Sequence, residues 1–305
     1  MSLDLSELAS RVPSPDDKAR VAARSRLAEL APSGAFGRFG ELAEWLAGIQ
    51  GQCPTRPLER IRMVAMSGGP SSVAEISPLL PASPASLRVV VAEPARDTSS
   101  DGPTDGRAAV EQAFEAGAVI ADGEVDGADL VVLAATNADW AVPAAVVVAV
   151  LTGTEVASVV GRGSGIDDRE WMRRCAAVRD GARLGRRVLT DGGDVLDLLS
   201  PVGSAPLATL AGVVVQAAIR RIPVLLDGVV ATAAALAAHR VTTRTARWVV
   251  AGHASPDPGQ AAALGKMRLR PLIDYAISLD DGTGALLAVP HLQAAARLLA
   301  AAGAE

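Results

Sequence analysis

The stretch PVLLDGVVATAAALAAHRVTTRTARWVVAGHASPDPGQAAALGKM, residues 223–267, decides the fold. An aliphatic run over 224–226 reads as a strand and leads through Asp227 and Gly228 into a helix expected over 231–239. A second aliphatic run over 248–251 follows, then a helix expected over 258–267, with Pro258 at its start. Strand, helix, strand, helix in that order requires crossover connections and therefore parallel strands. Strands covered on both faces read as unbroken aliphatic runs, and these do.

Upstream the same alternation continues. Helices are expected over 107–124, 143–151, 168–181 and 207–220, and strands over 62–66, 87–92, 130–134 and about 156–160. Ser67-Gly68-Gly69-Pro70 marks a turn, and 94–106 is the most loop-like stretch. The first 51 residues read as helical, with Ser14 as cap, Pro15 at the first position and Asp16 and Asp17 in the first turn. Phe39, Leu42, Trp45, Leu46 and Ile49 form a packing stripe at helical spacing. The expected fold is α/β: a doubly wound, mostly parallel sheet flanked by helices.

Composition agrees and excludes some functions. Half of the chain is hydrophobic but only 3% is aromatic, so Ala, Val, Leu and Ile must build the core. A net charge of −5 offers no broad positive surface for nucleic acid or an anionic membrane. Cys53 and Cys175 lack ligand spacing and are expected as buried, reduced thiols, with no metal site. The first residues lack the basic and apolar regions of a signal peptide, and no apolar run is long enough to span a bilayer. A cytoplasmic location is the expectation.

Ligands of such sheets bind beyond the carboxyl ends of the strands. Four stretches fall there. Gly161-Arg162-Gly163-Ser164-Gly165-Ile166-Asp167-Asp168 lies before a helix. Its glycines allow close backbone approach to an anion, the helix start favours negative charge, and Arg173 and Arg174 stand within the next turns. The same loop serves equally well merely to turn the chain. Asp227 ends a strand, and local pattern favours it as a cap for the helix that follows. His253 and Ser255 occupy a turn after the next strand, where a lone histidine beside glycine is more often structural than titrating. Asp280 and Asp281 precede a Gly-Thr-Gly turn, and either is a solvated acid or a general base.

In this order the four stretches resemble the nicotinate-nucleotide–dimethylbenzimidazole phosphoribosyltransferases of cobalamin lower-ligand assembly. That family's GxGTGIDD, PVLLDG, GHxSxEPGH and LGEGTGA patterns match residues 161–168, 223–228, 252–260 and 279–285, and 50–54 resembles the segment before its first strand. The resemblance implies a small helical subdomain from 1–55 plus 286–305, an α/β nucleotide-handling domain over 56–285, and a dimer. It implies no cofactor. The implied reaction passes phosphoribose from nicotinate mononucleotide to an azole nitrogen of 5,6-dimethylbenzimidazole, with inversion and release of nicotinate. By the same resemblance Asp281 stands at the place of the family's base, while Gly161, Gly163, Ser164, Gly165, Ile166, Arg174, Asp227 and Ser255 fall to the phosphate and nucleotide.

The pattern also breaks. Asp281 is one methylene shorter than the family's glutamate, a retreat of roughly 1.5 Å. Where the family reads GEMGIGNTTPAA, this chain has Ala135 for an acid, Asn137 and Asp139 for glycines, and Trp140-Ala141-Val142 for the polar triplet. An indole and an added carboxylate there oppose a phosphate. The path from 66 to 87 is short and lacks the stretches that select the acceptor base. Gly203-Ser204-Ala205-Pro206 replaces a glycine pair, an aromatic and an acid; Asp257 and Gln260 replace Glu and His, and Arg174 replaces a lysine. Two readings follow: a transferase with an impaired site, or a non-catalytic paralogue that binds a nucleotide or pairs with an active family member.

Overall fold

The computed structural model describes residues 3–67, 77–79, 88–92, 106–123, 125–162, 165–202 and 204–301. Helices α1 (Leu5–Arg11), α2 (Asp17–Leu30) and α3 (Gly37–Gln50) precede strands β1 (Ile61–Met66) and β2 (Arg88–Ala92). Then come α4 (Arg107–Gly123), β3 (Leu130–Ala135), α5 (Ala141–Thr152), α6 (Asp168–Thr190), α7 (Val195–Leu199) and α8 (Ala205–Ile219). The chain ends with β4 (Val224–Leu226), α9 (Gly228–Val241), β5 (Val249–Ala251), α10 (Pro258–Met267) and α11 (Thr283–Ala301).

The strands form one sheet in the order β2-β1-β3-β4-β5, and every pairing is parallel. Register explains why the strands carry no polar alternation. Met63, Val132 and Leu225 stand in one cross-sheet row and pack against α2, α3 and α11. The next row, Val64, Leu133, Leu226 and Ala251, points to the opposite face and packs against α4, α5, α8 and α9. Both faces are thus covered, which is the doubly wound arrangement the aliphatic runs require.

The α4–α8 crossing is the tightest helix contact on the second face. A Cβ on Gly117 would lie 1.9 Å from the carbonyl oxygen of Thr209, and one on Gly212 would lie 2.0 Å from that of Phe114. Each helix sets a glycine against the other's backbone.

Several sequence expectations change. No strand forms over 156–160: Val156–Ser158 is a single 3-10 turn, and Val159 and Val160 are buried without ladder partners. The edge of β3 beside them is taken by β4, and a short buried apolar run looks the same in either conformation. Helix α2 starts at Asp17 with Asp16 as its cap, the carboxylate accepting from the amide of Ala19 at 2.8 Å. Ser14 and Pro15 stay outside the helix, because the amide of Asp16 donates to the carbonyl of Gly48 and ties this entry to α3. Helix α6 runs past Gly181 to Thr190, and α9 begins at Gly228, earlier than expected. Cys53 and Cys175 are free but only half-buried. The turn at 68–70 and the loop-like stretch 94–105 lie outside the described residues.

Candidate functional site

The carboxyl ends of β3, β4 and β5 are locked together by two aspartates that exchange helices. Asp227 precedes α9, yet its carboxylate does not cap that helix. Its oxygens instead accept from Gly282 at 2.8 Å and Ala285 at 2.7 Å, the amides that open α11. Asp280 precedes α11, and its Oδ1 accepts from the amide of Val229, at the start of α9, at 2.9 Å. Each acid serves the positive end of the other's helix. The expectation that Asp227 caps its own helix is corrected: the crossed arrangement joins segments about fifty residues apart, which local pattern cannot register. Gly228 makes room for it. The residue has φ +65°, and a Cβ there would lie 1.4 Å from Oδ1 of Asp280.

His253 completes this buried cluster. It and Asp227 are both fully buried, with Nε2 3.3 Å from Oδ1 of Asp227 and 3.2 Å from the amide nitrogen of Gly228. Burial pulls the imidazole's proton affinity down, but the Asp227 carboxylate more than offsets this, and the net shift is upward. With a proton on Nδ1 facing the carbonyl of Ala254, Nε2 accepts from Gly228; a second proton, on Nε2, gives up that hydrogen bond and makes Nε2 a donor to Asp227.

Above this cluster lies a cavity of about 320 Å³ at the carboxyl ends of β3, β4 and β5. Gly161, Arg162 and Ile166 of the glycine loop line it, together with Arg174 from α6, Ser255 and Asp257 from the turn after β5, and Asp280. Ala141, Val142 and Ala145 of α5 and Val229 of α9 supply an apolar wall. The volume is at the lower end of the range for small-molecule sites. Trp140 is not in the lining; its indole is buried in the core at 8% exposure, and Asp139 is exposed. The bulk expected to oppose a ligand therefore points elsewhere.

The charged lining is held in place. Arg174 donates from Nε to Glu170, which also binds Arg173. Asp257 caps α10 through the amide of Gly259 at 2.8 Å; burial raises its proton affinity, opposed by that hydrogen bond and by Arg174. Asp257 also presses on the glycine loop: a Cβ on Gly161 would lie 2.2 Å from its Oδ2. Gln260 braces the turn, accepting from the amide of Ser255 and donating to the carbonyl of His253. The carboxyl of Asp280 is pushed up to about 7, by burial first and then by the neighbouring Asp227.

Of the residues singled out in the sequence, the structure brings Gly161, Ile166, Arg174 and Ser255 together around the cavity, whereas Asp227 is fully buried and does not line it. Gly163 and Ser164 lie outside the described residues, and Gly165, with φ +93°, is exposed and not part of the lining. Among the described residues the amides of Gly161, Gly165 and Ile166 donate to no other group. The start of α6 is capped by Asp167, whose carboxylate accepts from Glu170 at 2.7 Å. Asp281 turns back onto its own helix, its Oδ1 accepting from the amide of Thr283 at 2.9 Å, and does not line the cavity. The acid that does is Asp280. Sequence reasoning left the two acids level at this turn and separated them only by resemblance. No group of acids, histidines and cysteines among the described residues is placed to hold a metal ion. No helix among them is long and apolar enough to cross a membrane.

Fold and cavity define the class: a doubly wound α/β protein with its cleft at the carboxyl edge of a parallel sheet. A family model described as phosphoribosyltransferase matches residues 12–78 and 83–304. The nicotinate-nucleotide–dimethylbenzimidazole phosphoribosyltransferase of Streptomyces avermitilis is 39% identical, over 98% of this chain and 91% of that protein. The protein of the same description from Mycobacterium avium is 41% identical, over 93% of each. Among solved structures, CobT from Thermus thermophilus superposes with a TM-score of 0.80 at 26% identity, covering 93% of this chain and 96% of that one. The chain belongs to the nicotinate-nucleotide–dimethylbenzimidazole phosphoribosyltransferase family.

Proposed function

We propose that the chain transfers phosphoribose from nicotinate mononucleotide to the azole nitrogen of 5,6-dimethylbenzimidazole or a close analogue, the reaction named for its relatives. The observation that carries this reading is the single cavity that gathers loop backbone, Arg174, Ser255 and a carboxyl able to change protonation near neutral pH. The loop amides and Arg174 supply positive partners for the phosphate. The apolar wall of Ala141, Val142, Ala145 and Val229 suits a flat aromatic ring.

The chemistry asks little more of the protein. A lone pair of the azole forms the bond to the anomeric carbon as the bond from that carbon to the pyridinium nitrogen breaks. The nitrogen keeps the electron pair, nicotinate leaves uncharged at its ring, and the azole N–H proton passes to a carboxylate of the 279–285 turn. Holding donor and acceptor in line supplies most of the acceleration.

A second reading has its own support: apolar Ala141 and Val142 form the wall where the sequence pattern calls for polar groups. A site that keeps the phosphate end but grips the ribose poorly binds the nucleotide without turning it over. Incubation of purified protein with nicotinate mononucleotide and dimethylbenzimidazole, with nicotinate release followed by chromatography, separates the two. Release above background supports the transferase. No release, with calorimetric binding of nicotinate mononucleotide retained, supports the non-catalytic form, and absence of both removes the site assignment.

A further inference from the structure

We propose that Asp280, rather than its neighbour Asp281, takes the proton from the acceptor base. This rests on the transferase reading and names the acid that serves it. The two residues are adjacent, but their carboxylates go to different places. Asp281 is folded back on the amide of Thr283 and lies outside the cavity lining. Asp280 lies in that lining with Arg174 and Ser255, and Oδ1 is fixed by the amide of Val229. Its other oxygen, Oδ2, makes no hydrogen bond among the described residues and remains available to an N–H group of a ligand. Two local features prepare this position. Gly228 leaves the space that the Asp280 carboxylate occupies, and the carbonyl of Asp280 accepts from the amide of Ala135 at 2.9 Å, pinning the turn to the end of β3.

The residue pattern supplies a rationale for this placement. The aligned family pattern has glycine at 280 and glutamate at 281, whereas this chain has two aspartates. Shortening the acid at 281 withdraws it by roughly 1.5 Å, and the added acid one residue earlier reaches the cavity from the other side of the turn. The charged groups around Asp280 are Asp227 at the end of β4, His253 after β5, Asp257 before α10, and Arg162 and Arg174 elsewhere in the cavity lining. Burial first, and then the two acids, favour its protonated form, while the amide of Val229 and His253 oppose them, which leaves the carboxyl near neutrality and fit to accept a proton there. In the transfer step the azole N–H bond breaks toward Oδ2 as the azole's other nitrogen bonds to the anomeric carbon, and nicotinate departs with the electron pair of the broken glycosidic bond.

Asp280→Asn keeps the Oδ1 acceptor for Val229 and removes only the basic oxygen. The test measures kcat and KM for nicotinate release across the pH range, in wild type, Asp280→Asn, Asp280→Glu and Asp281→Asn. For wild type, kcat should rise with pH through about 7. Asp280→Asn should lower kcat by about 100-fold or more and flatten that rise, the usual loss for a missing general base, with KM for nicotinate mononucleotide little changed. Asp280→Glu should restore part of the rate, and Asp281→Asn should stay near wild type. The reverse ranking, or a parallel change of kcat and KM with an unaltered pH profile, overturns the assignment. Inactive wild type would sink the transferase reading, and binding of dimethylbenzimidazole then decides about Asp280. Calorimetry should show affinity about 10-fold weaker in Asp280→Asn alone, the worth of one charge-assisted hydrogen bond. Equal affinity in both asparagine variants would dismiss Asp280 as the partner.

Discussion

At the scale of single residues, the crossed pair Asp227 and Asp280 makes opposite demands on stability. Asp227 has both oxygens filled by backbone amides and His253 beside it, so Asp227→Ala strips two helix-opening amides and the imidazole of their partner. We expect a loss of about 3 kcal/mol or more in urea unfolding. Asp280 holds its proton more tightly when folded than when unfolded. The folded chain therefore binds more protons between about 3.8 and about 7, and stability falls as pH rises through that window. Asp280→Asn, which cannot ionise, should melt higher than wild type above about pH 7, by a margin that shrinks as pH falls through this window and vanishes near its lower end. Equal melting shifts at both ends would show that the carboxyl is not held out of water. Arg174 presents a positive charge to a cavity that also holds Asp257 and Asp280. Arg174→Ala should weaken nicotinate mononucleotide binding by about 10-fold or more in calorimetry, on the scale of a lost charged hydrogen bond.

At the scale of elements, the α4–α8 contact is a close backbone approach with no slack on either side. Gly117→Ala and Gly212→Ala each force a methyl group to within about 2 Å of a carbonyl oxygen, so the helices must separate. Each substitution should cost about 1–3 kcal/mol, the usual range for overpacking, read as a lower urea midpoint. Sequence handled elements well where hydrophobic period and chain punctuation agreed. The bounds of β4 and α10 were readable because Pro223 and Asp227 frame the one, while Asp257 and Pro258 open the other. It failed at 156–160, where only Val159 and Val160 are buried, without a neighbouring strand to pair with, and Ala157 and Ser158 face solvent. It also stopped α6 early at Gly181. That glycine instead admits Val146 of α5, whose Cγ2 would lie 2.8 Å from a Cβ there, and the helix continues.

At the scale of the whole molecule, a sheet buried on both faces leaves only the strand ends for chemistry. Segments from five parts of the sequence converge there: the start of α5, the loop before α6 with the first turns of that helix, the start of α9, the turn before α10 and the turn before α11. A ligand bridging them should tighten the whole α/β unit. Nicotinate mononucleotide at about 100 times its dissociation constant should stabilise the chain by about 2.7 kcal/mol, visible as a raised melting temperature. Loss of that shift in Arg174→Ala would tie the effect to this cavity rather than to a surface site.

The amino-acid sequence alone determined the doubly wound parallel architecture, the family, and four of the residues that line the cavity. The architecture rests on hydrophobic runs and turn chemistry, and the family and those residues on the resemblance carried by four ordered motifs, all of which are written along the chain. Only the tertiary structure decided that Asp227 serves α11 and Asp280 serves α9, that Trp140 turns into the core, and that Asp280 rather than Asp281 borders the cavity. The reason is physical: which way a carboxylate points is set by the amides that satisfy it, and here those amides belong to segments remote in sequence and adjacent only after the sheet has formed.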